Sequence, residues 1–353
     1  LTKENYRLGL GIMSGTSTDG IDIALCQFSQ TNDVKLLRFE SAAYDNSWRQ
    51  KLQNAQNLNG LDLLLFQNEF TRYTAHVVVK FLKDMSDQPD FIGAHGHTIF
   101  HQPKNGLTFQ MFNGALMAAE TGITTVCDFR STDVAYGGQG APLVPIGDQL
   151  LYAEYVACVN IGGIANVSFD MQGRRVAFDI GPANLILNLL AAREGKLYDE
   201  NGRMASAGRM IPSLAEELNM LLYYELPPPK SLGREWIENT LIPLVEKYNF
   251  ATSDLLHTLT NHIAFQIGKS LSGLTNTGKV LVTGGGAHNG FLVERMRTYT
   301  DLEIVIPEKE LIDAKEAIVF ALLGKLRLEG KTNTLSCVTG SRKDHSGGAV
   351  YLP

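Results

Sequence analysis

Leu8 to Asp22 reads LGLGIMSGTSTDGID. An apolar strand runs into a tight cluster of Gly, Ser and Thr, and a second apolar strand follows from Ile21 to Phe28. The turn offers backbone N–H groups and the hydroxyls of Ser14, Thr16, Ser17 and Thr18. Gly15 and Gly20 let the chain bend sharply and approach a ligand closely. A concave array of donors suits phosphate oxygens. By itself the stretch reads equally as a plain surface hairpin. A similar device returns halfway along, at Asn160-Ile161-Gly162-Gly163-Ile164-Ala165-Asn166. Two such hairpins in one chain point to a duplicated fold that holds a nucleotide between its halves.

Outward from the first hairpin, a third strand is expected near Val34 to Tyr44. Leu63, Phe66, Phe70, Tyr73, Val77 and Phe81 recur at three- and four-residue steps, which predicts one apolar face of a long helix. Phe91 to Ala94 reads as a short strand, Gly114 to Glu120 as a helix and Thr124 to Val126 as a strand. Three strands followed by alternating helix and strand is the order of a ribonuclease-H-like half. The plan repeats with strands at Ala157 to Ile161, Ile164 to Phe169 and Arg175 to Ile180. Helices are expected from Asn184, Trp236 and Ser253, a strand at Val280 to Val282, and helices from Phe291 and from Ala314 to about Leu328. The expected fold class is α/β, two duplicated ribonuclease-H-like domains over residues 1–130 and 131–353. Leu226-Pro227-Pro228-Pro229-Lys230 reads as a stiff surface connector.

With 353 residues, 44% of them hydrophobic, the chain is long for one core and comfortable for two domains. A net charge of −6 without any Lys/Arg run argues against nucleic acid as a partner. Cys26, Cys127, Cys158 and Cys337 form no C-x-x-C pair and read as reduced core residues of a cytoplasmic protein. No apolar run reaches ~18 residues and no signal peptide opens the chain, so neither a membrane span nor export is expected.

Each remaining constellation has a chemical and a structural reading. In FDIGPAN, Phe178 to Asn184, Asp179 ends a strand before a Gly-Pro turn. Strand ends facing a crevice are where α/β proteins place chemistry, and a carboxylate there takes a proton from a hydroxyl or a water; a turn-capping Asp is the alternative. In CDFRSTDVAYGGQGAPLVP, Cys127 to Pro145, Arg130 suits a substrate carboxylate, and Arg130 with Asp133 equally suits bracing of a turn. Asp313-Ala314-Lys315-Glu316 approximates a capping box, but the helix beyond is apolar nearly all round. Thr283 to Gly290 is a third glycine cluster, with glycines for close approach to a base or sugar. Its spacing does not make a dinucleotide fingerprint, and a P-loop is absent. His95, His97 and His101 leave a metal site open beside the simpler reading of polar lining.

GIMSGTSTDGIDIAL, AHGHTIFHQP, DFRSTDVAYGGQGAPLVP, NIGGIANVSF, FDIGPAN, VTGGGAHNGFL and the Glu316 helix occur in an order that resembles the bacterial anhydro-N-acetylmuramic acid kinases. The resemblance runs from Leu8 to Pro353. It implies the fold of actin, sugar kinases and heat-shock ATPases. It also implies ATP with Mg²⁺, a homodimer, and conversion of 1,6-anhydro-N-acetylmuramic acid to N-acetylmuramic acid 6-phosphate in cell-wall recycling. By the same resemblance Gly15, Thr16, Ser17, Thr18, Asp19, Gly20, Ile21 and Asp22 bind ATP phosphates with Gly162 and Gly163. Gly284, Gly285, Gly286 and Asn289 take the adenosine. Asp179 is the general base and Glu316 a second catalytic carboxylate. Thr98, Arg130, Asp133 and Asn160 are the expected substrate contacts. His97 stands where that family usually has Gln, and Ile12 where many sugar kinases carry a magnesium-associated Asp, so no metal ligand is assigned. An ordinary sugar kinase acting on a free hydroxyl and a catalytically silent sugar or nucleotide sensor are the alternatives.

Overall fold

The first hairpin forms as its alternation requires. In the computed structural model, which describes residues 7–15, 18–29, 33–275 and 277–353, β1 (Arg7–Ser14) and β2 (Gly20–Phe28) pair antiparallel from Arg7 with Phe28 to Met13 with Asp22. Thr16 and Ser17 lie outside the described residues. β3 (Val34–Ala43) completes a three-stranded meander. The helices α1 (Asn46–Asn54) and α2 (Gly60–Leu82) open on Asp45 and Asn59, whose side chains accept from the Trp48 and Asp62 N–H groups. These caps satisfy amides that have no partner inside the helix. Next come β4 (Phe91–Gln102), β5 (Leu107–Met111), α3 (Gly114–Thr121), β6 (Thr124–Cys127), α4 (Ser131–Ala135) and α5 (Val144–Leu151). The second meander is β7 (Ala157–Ile161), β8 (Ile164–Met171) and β9 (Arg174–Pro182). It leads into α6 (Asn184–Ala192), a helix at Thr252–Leu271, β10 (Lys279–Thr283), a helix at Gly290–Arg297 and β11 (Glu303–Val305). A closing helix, Lys309–Leu328, and β12 (Ala349–Tyr351) end the chain.

The first sheet runs β12-β6-β4-β1-β2-β3 with β5 on β4, and the second runs β11-β10-β7-β8-β9. In each, an antiparallel meander is extended by a strand parallel to its first member, β4 on β1 and β10 on β7. Both sheets therefore have the expected ribonuclease-H-like order in a mixed α/β chain. The first is filled by Leu10, Ile12, Ile23 and Ile92 against Phe70, Val78 and Phe81 of α2. The second is filled by Val159, Ile161, Val167 and Val282 against Ile186, Leu190, Leu256 and Leu259.

The division of the chain differs from a boundary at residues 130 and 131. One unit comprises the described residues up to Leu151 together with Asp313–Pro353, and the other is Tyr152–Ile312. The cause lies in contacts distant in sequence. β12 pairs antiparallel with β6, and the closing helix lies against β1 and β4. Three smaller expectations are also corrected. β4 continues past Ala94 to Gln102 because β5 pairs with it as a hairpin. The closing helix begins at Lys309, a turn earlier than a cap at Asp313 requires. β4 does not present His95 and His97 on one face, as two-residue strand spacing predicts, because Gly96, at φ +78°, departs from extended backbone within the strand. His95 packs on Phe320, whereas His97 turns toward Phe70 and Ser14.

The closing helix reaches the first sheet only because two positions carry no side chain. A Cβ at Gly11 would strike the carbonyl oxygen of Ala317, and one at Gly93 would strike that of Phe320. Backbone offers no flexible end that can give way. Gly11→Ala and Gly93→Ala are therefore expected to cost about 1–3 kcal/mol or more each in urea unfolding, the range of overpacked cores. A loss under about 0.5 kcal/mol would show that the helix has room to shift.

Candidate functional site

In the second unit, Asp179 sits three residues before the end of β9, half-buried, with an unusual set of backbone partners. Its Oδ2 accepts from the Leu232 N–H at 2.8 Å. Its own N–H donates to the Lys230 carbonyl at 3.1 Å, and the Tyr223 hydroxyl donates to its carbonyl at 2.6 Å. Burial raises the carboxyl pKa above the ordinary value, and the Leu232 N–H opposes that rise. The Pro-rich segment is thus more than a connector, since the strap that follows it anchors the carboxylate. Oδ1 has no hydrogen-bond partner among the described residues.

The glycine loops of the second unit converge. The Gly162 carbonyl accepts from the Asn184 N–H at 3.1 Å, and that of Gly163 accepts from the Ala183 and Leu185 N–H groups at 2.8 and 3.1 Å. The hairpin is thereby tied to the start of α6. Gly284, at φ +81°, lies so close to β7 that a Cβ would sit 2.6 Å from Asn160 Oδ1 and 2.8 Å from the Ile161 carbonyl. Gly286 faces the Ile161 side chain just as tightly. Gly285 is exposed. Asn160 therefore stands between the two loops. Asn289 has a structural duty: its Oδ1 accepts from the Leu292 N–H and caps the Gly290–Arg297 helix.

The first unit gathers charge. Asp19 is exposed and Asp22 half-buried. Burial raises the Asp22 pKa, the Ser41 hydrogen bond opposes, and Asp19 and Asp313 add to the rise. The Glu316 side chain is reached by water yet surrounded by protein on most sides. This desolvation raises its pKa, Asp22 adds to the rise, Lys315 and Arg130 oppose it, and Asp19 adds a little more. Arg130 is locked by two bonds, Nε to His95 Nε2 at 2.9 Å and an Nη to the Gly140 carbonyl at 2.7 Å. Burial lowers its pKa to about 10, with Glu316 and Asp133 resisting, so the guanidinium stays charged at neutral pH. His95 holds a single tautomer. Its Nδ1 donates to the Gly96 carbonyl, which leaves Nε2 as acceptor for Arg130.

Several expected ligand residues have other duties. Asp133 is fully buried, and its oxygens accept from the Gly140 N–H at 2.6 Å and the Thr339 hydroxyl at 2.7 Å, so it braces the glycine-rich loop. Thr18, at φ +55°, is buried, and its hydroxyl faces Gln53 Nε2 at 3.4 Å. The Ile21 side chain belongs to the core. Gly15 and Gly20 flank the turn, and a Cβ at Gly20 would press on the Ala42 carbonyl at 2.6 Å. Thr98 is half-buried beside Gln110. His97 bonds Ser14 at 2.9 Å, and burial lowers its pKa to about 4. Among the described residues no three His, Cys, Asp or Glu side chains converge to hold a metal.

Sequence reasoning missed the strap at Lys230 and Leu232, the Tyr223 hydroxyl and the His95 support of Arg130. Only the AHGH and KSLG stretches hinted at them, and neither carries a periodic pattern.

Among the described residues no helix is long and apolar enough to cross a membrane. One solved structure, the activator of the 2-hydroxyisocaproyl-CoA dehydratase from Clostridium difficile with bound ADPNP, is 12% identical and matches over 91% of this chain and 97% of that one, with a TM-score of 0.45. The anhydro-N-acetylmuramic acid kinase of Nitrosomonas europaea is 37% identical, over 97% of this chain and 99% of the relative. That of Hydrogenovibrio crunogenus is 34% identical, over 98% of each. Residues 7–353 match the family described as anhydro-N-acetylmuramic acid kinase. Agreement of this extent with the glycine loops and carboxylates above means that the chain belongs to the anhydro-N-acetylmuramic acid kinase family.

Proposed function

We propose that this member of a kinase family uses ATP to open 1,6-anhydro-N-acetylmuramic acid and phosphorylate it to N-acetylmuramic acid 6-phosphate, with Asp179 as general base. The carrying observation is Asp179 itself: a desolvated carboxylate with Oδ2 held by a main-chain amide and Oδ1 without a hydrogen-bond partner among the described residues. Oδ1 takes a proton from water. The water oxygen bonds to the anomeric carbon, and the bond from that carbon to the bridging oxygen breaks. The bridging oxygen, still on C6, bonds to the γ-phosphorus of ATP, and ADP leaves. Phosphoryl capture avoids release of a free alkoxide, and base assistance contributes roughly 10²–10⁴-fold.

Phosphate contacts are assigned to the turn Gly15–Asp22 and to Gly162 and Gly163, and the adenosine to Gly284–Gly286. Asn160 and Thr98 are assigned to the sugar, and Arg130 to its carboxylate, a fork that His95 and Gly140 already orient. Glu316 is the second active-site carboxylate. The donors of the first unit suit Mg²⁺ in kind: Asp19, Asp22 and Glu316 offer hard carboxylate oxygens, and the charge of Asp19 is felt at Asp22 and that of both at Glu316. They would hold the ion through water, and the ion when bound neutralises phosphate charge. Cys26, Cys127 and Cys158 are buried and, contrary to expectation, Cys337 is exposed; none of the four is in a disulfide, which supports a reducing cytoplasmic setting, and a homodimer is part of the same reading.

Run in oxygen-18 water with exchange at the anomeric centre controlled, the reaction is expected to give a product with one phosphoryl group and one heavy oxygen. A phosphorylated product lacking the heavy oxygen would mean an ordinary sugar kinase.

Asp179→Asn is expected to lose at least ~10²-fold in kcat. It should also melt no lower than the parent at neutral pH. The folded-state pKa of Asp179 is raised, so ionisation above it destabilises the fold, and Asn removes that cost while still accepting from Leu232. Near-parental turnover would remove Asp179 as the base.

The base acts only when ionised, so kcat is expected to rise with pH through a limb above the ordinary carboxylate range. A limb at or below pH ~4, the unperturbed carboxylate value, would contradict the assignment.

A further inference from the structure

Three residues around Asp179 form a closed circuit of hydrogen bonds. The Asp179 N–H donates to the Lys230 carbonyl at 3.1 Å. Lys230 Nζ donates to the Tyr223 carbonyl at 3.1 Å, and the Tyr223 hydroxyl donates to the Asp179 carbonyl at 2.6 Å. Every link has one side on the main chain, so each residue fixes the path of the next. Stacking reinforces the circuit. Lys230 Nζ lies 4.7 Å from the centre of the Tyr223 ring and 5.8 Å from that of Phe178, the residue before Asp179. Tyr223 is buried and packs against Trp236 beyond the strap.

We propose that Tyr223 and Lys230 are positioning residues whose ring of hydrogen bonds clamps the strap Lys230–Leu232 so that the Leu232 amide holds one oxygen of Asp179 and aims the other at water. The inference rests on Asp179 being the general base. Without the two side-chain links the strap keeps two bonds to the strand among the described residues, from the Asp179 N–H to the Lys230 carbonyl and from the Leu232 N–H to the carboxylate itself. Only the first braces the strap independently of the carboxylate, so the Leu232 donor is held less firmly. A carboxylate that rotates freely presents Oδ1 to the water for only part of the time, and misplacement on the ångström scale costs up to about 10²-fold.

The ring also makes the two side chains interdependent. Tyr223→Phe keeps the aromatic ring and deletes the hydroxyl link. Lys230→Met keeps most of the side-chain bulk and deletes the ammonium link. Either deletion opens the circuit, so the second has little left to break. Among the described residues the titratable side chains facing this region are Tyr223 at Asp179, Tyr224 at Tyr223, and Glu225 and Lys269 at Lys230.

The experiment measures kcat and KM for sugar and ATP across pH, together with thermal melting. The proteins are the parent, Tyr223→Phe, Lys230→Met, the double variant and Asp179→Asn. Each single variant is expected to lose about 10- to 100-fold in kcat, with KM values within about twofold. The acid limb of kcat should move to higher pH, because the Leu232 amide no longer favours the ionised carboxylate. The double variant should fall no more than about twofold below the weaker single. Parental kcat in the single variants overturns the proposal. So do multiplying losses in the double variant, or a joint fall of kcat and melting temperature with an unmoved acid limb, which is the mark of a merely structural role. If Tyr223→Phe does not fold, Lys230→Met, which leaves every aromatic ring in place, decides by its kcat and acid limb. An active Asp179→Asn would overturn the base assignment and the clamp with it. An inactive Asp179→Asn beside parental single variants overturns the clamp alone.

Discussion

Main chain pressed against main chain, with no side chain between, is the constraint on which both units depend. Gly11 and Gly93 admit the carbonyls of Ala317 and Phe320, so the closing helix lies directly on β1 and β4. That seat places Glu316 beside Asp22 and Arg130. In the second unit Gly284 lies against the Ile161 main chain in the same way, Gly286 packs on the Ile161 side chain, and together they hold the Thr283–Gly290 loop against the end of β7. Such contacts tolerate little change of sequence, because backbone cannot repack as side chains do. Glycine costs conformational entropy on folding, and here that cost is set against close approach of whole elements.

Three of the charged groups, Asp179, Asp22 and Arg130, follow a second rule: each is desolvated and then held by something neutral. Leu232 holds Asp179 through an amide, Ser41 holds Asp22 through a hydroxyl, and His95 holds Arg130 through an uncharged imidazole. Neutral partners orient a group without cancelling its charge. A full counter-ion would hold each group more strongly and leave less charge for a ligand.

The meanders and their glycine turns were legible in the sequence because they are local. Alternation in Leu8–Phe28 and Ala157–Phe169 and the glycines between the strands decide them within about twenty residues. Asp179 was legible because Gly181-Pro182 marks the strand end. The domain boundary was not, because the closing helix and β12 rejoin the first sheet from far along the chain. Asp133 looked like a ligand and proved to be a brace, since its partner Thr339 lies about two hundred residues away. The segment Leu226–Lys230 looked like a spacer because its prolines dominate its composition, whereas what matters is the amide of Leu232 just beyond it, and every residue but proline has one. The Glu316 helix looked capped at Asp313 because a polar turn, Lys309–Leu311, precedes the apolar run.

Lys315, next to Glu316, is almost entirely buried and reaches Asp148 of α5 at 2.7 Å. A buried ion pair contributes little net stability but is demanding about geometry. Successive helix residues point about 100° apart around the axis, as 3.6 residues per turn dictates. With Lys315 fixed inward, the direction of Glu316 is set as well, outward to water. The pair is an azimuthal lock: it leaves the helix free to be long, short or recapped at either end, and forbids it to roll.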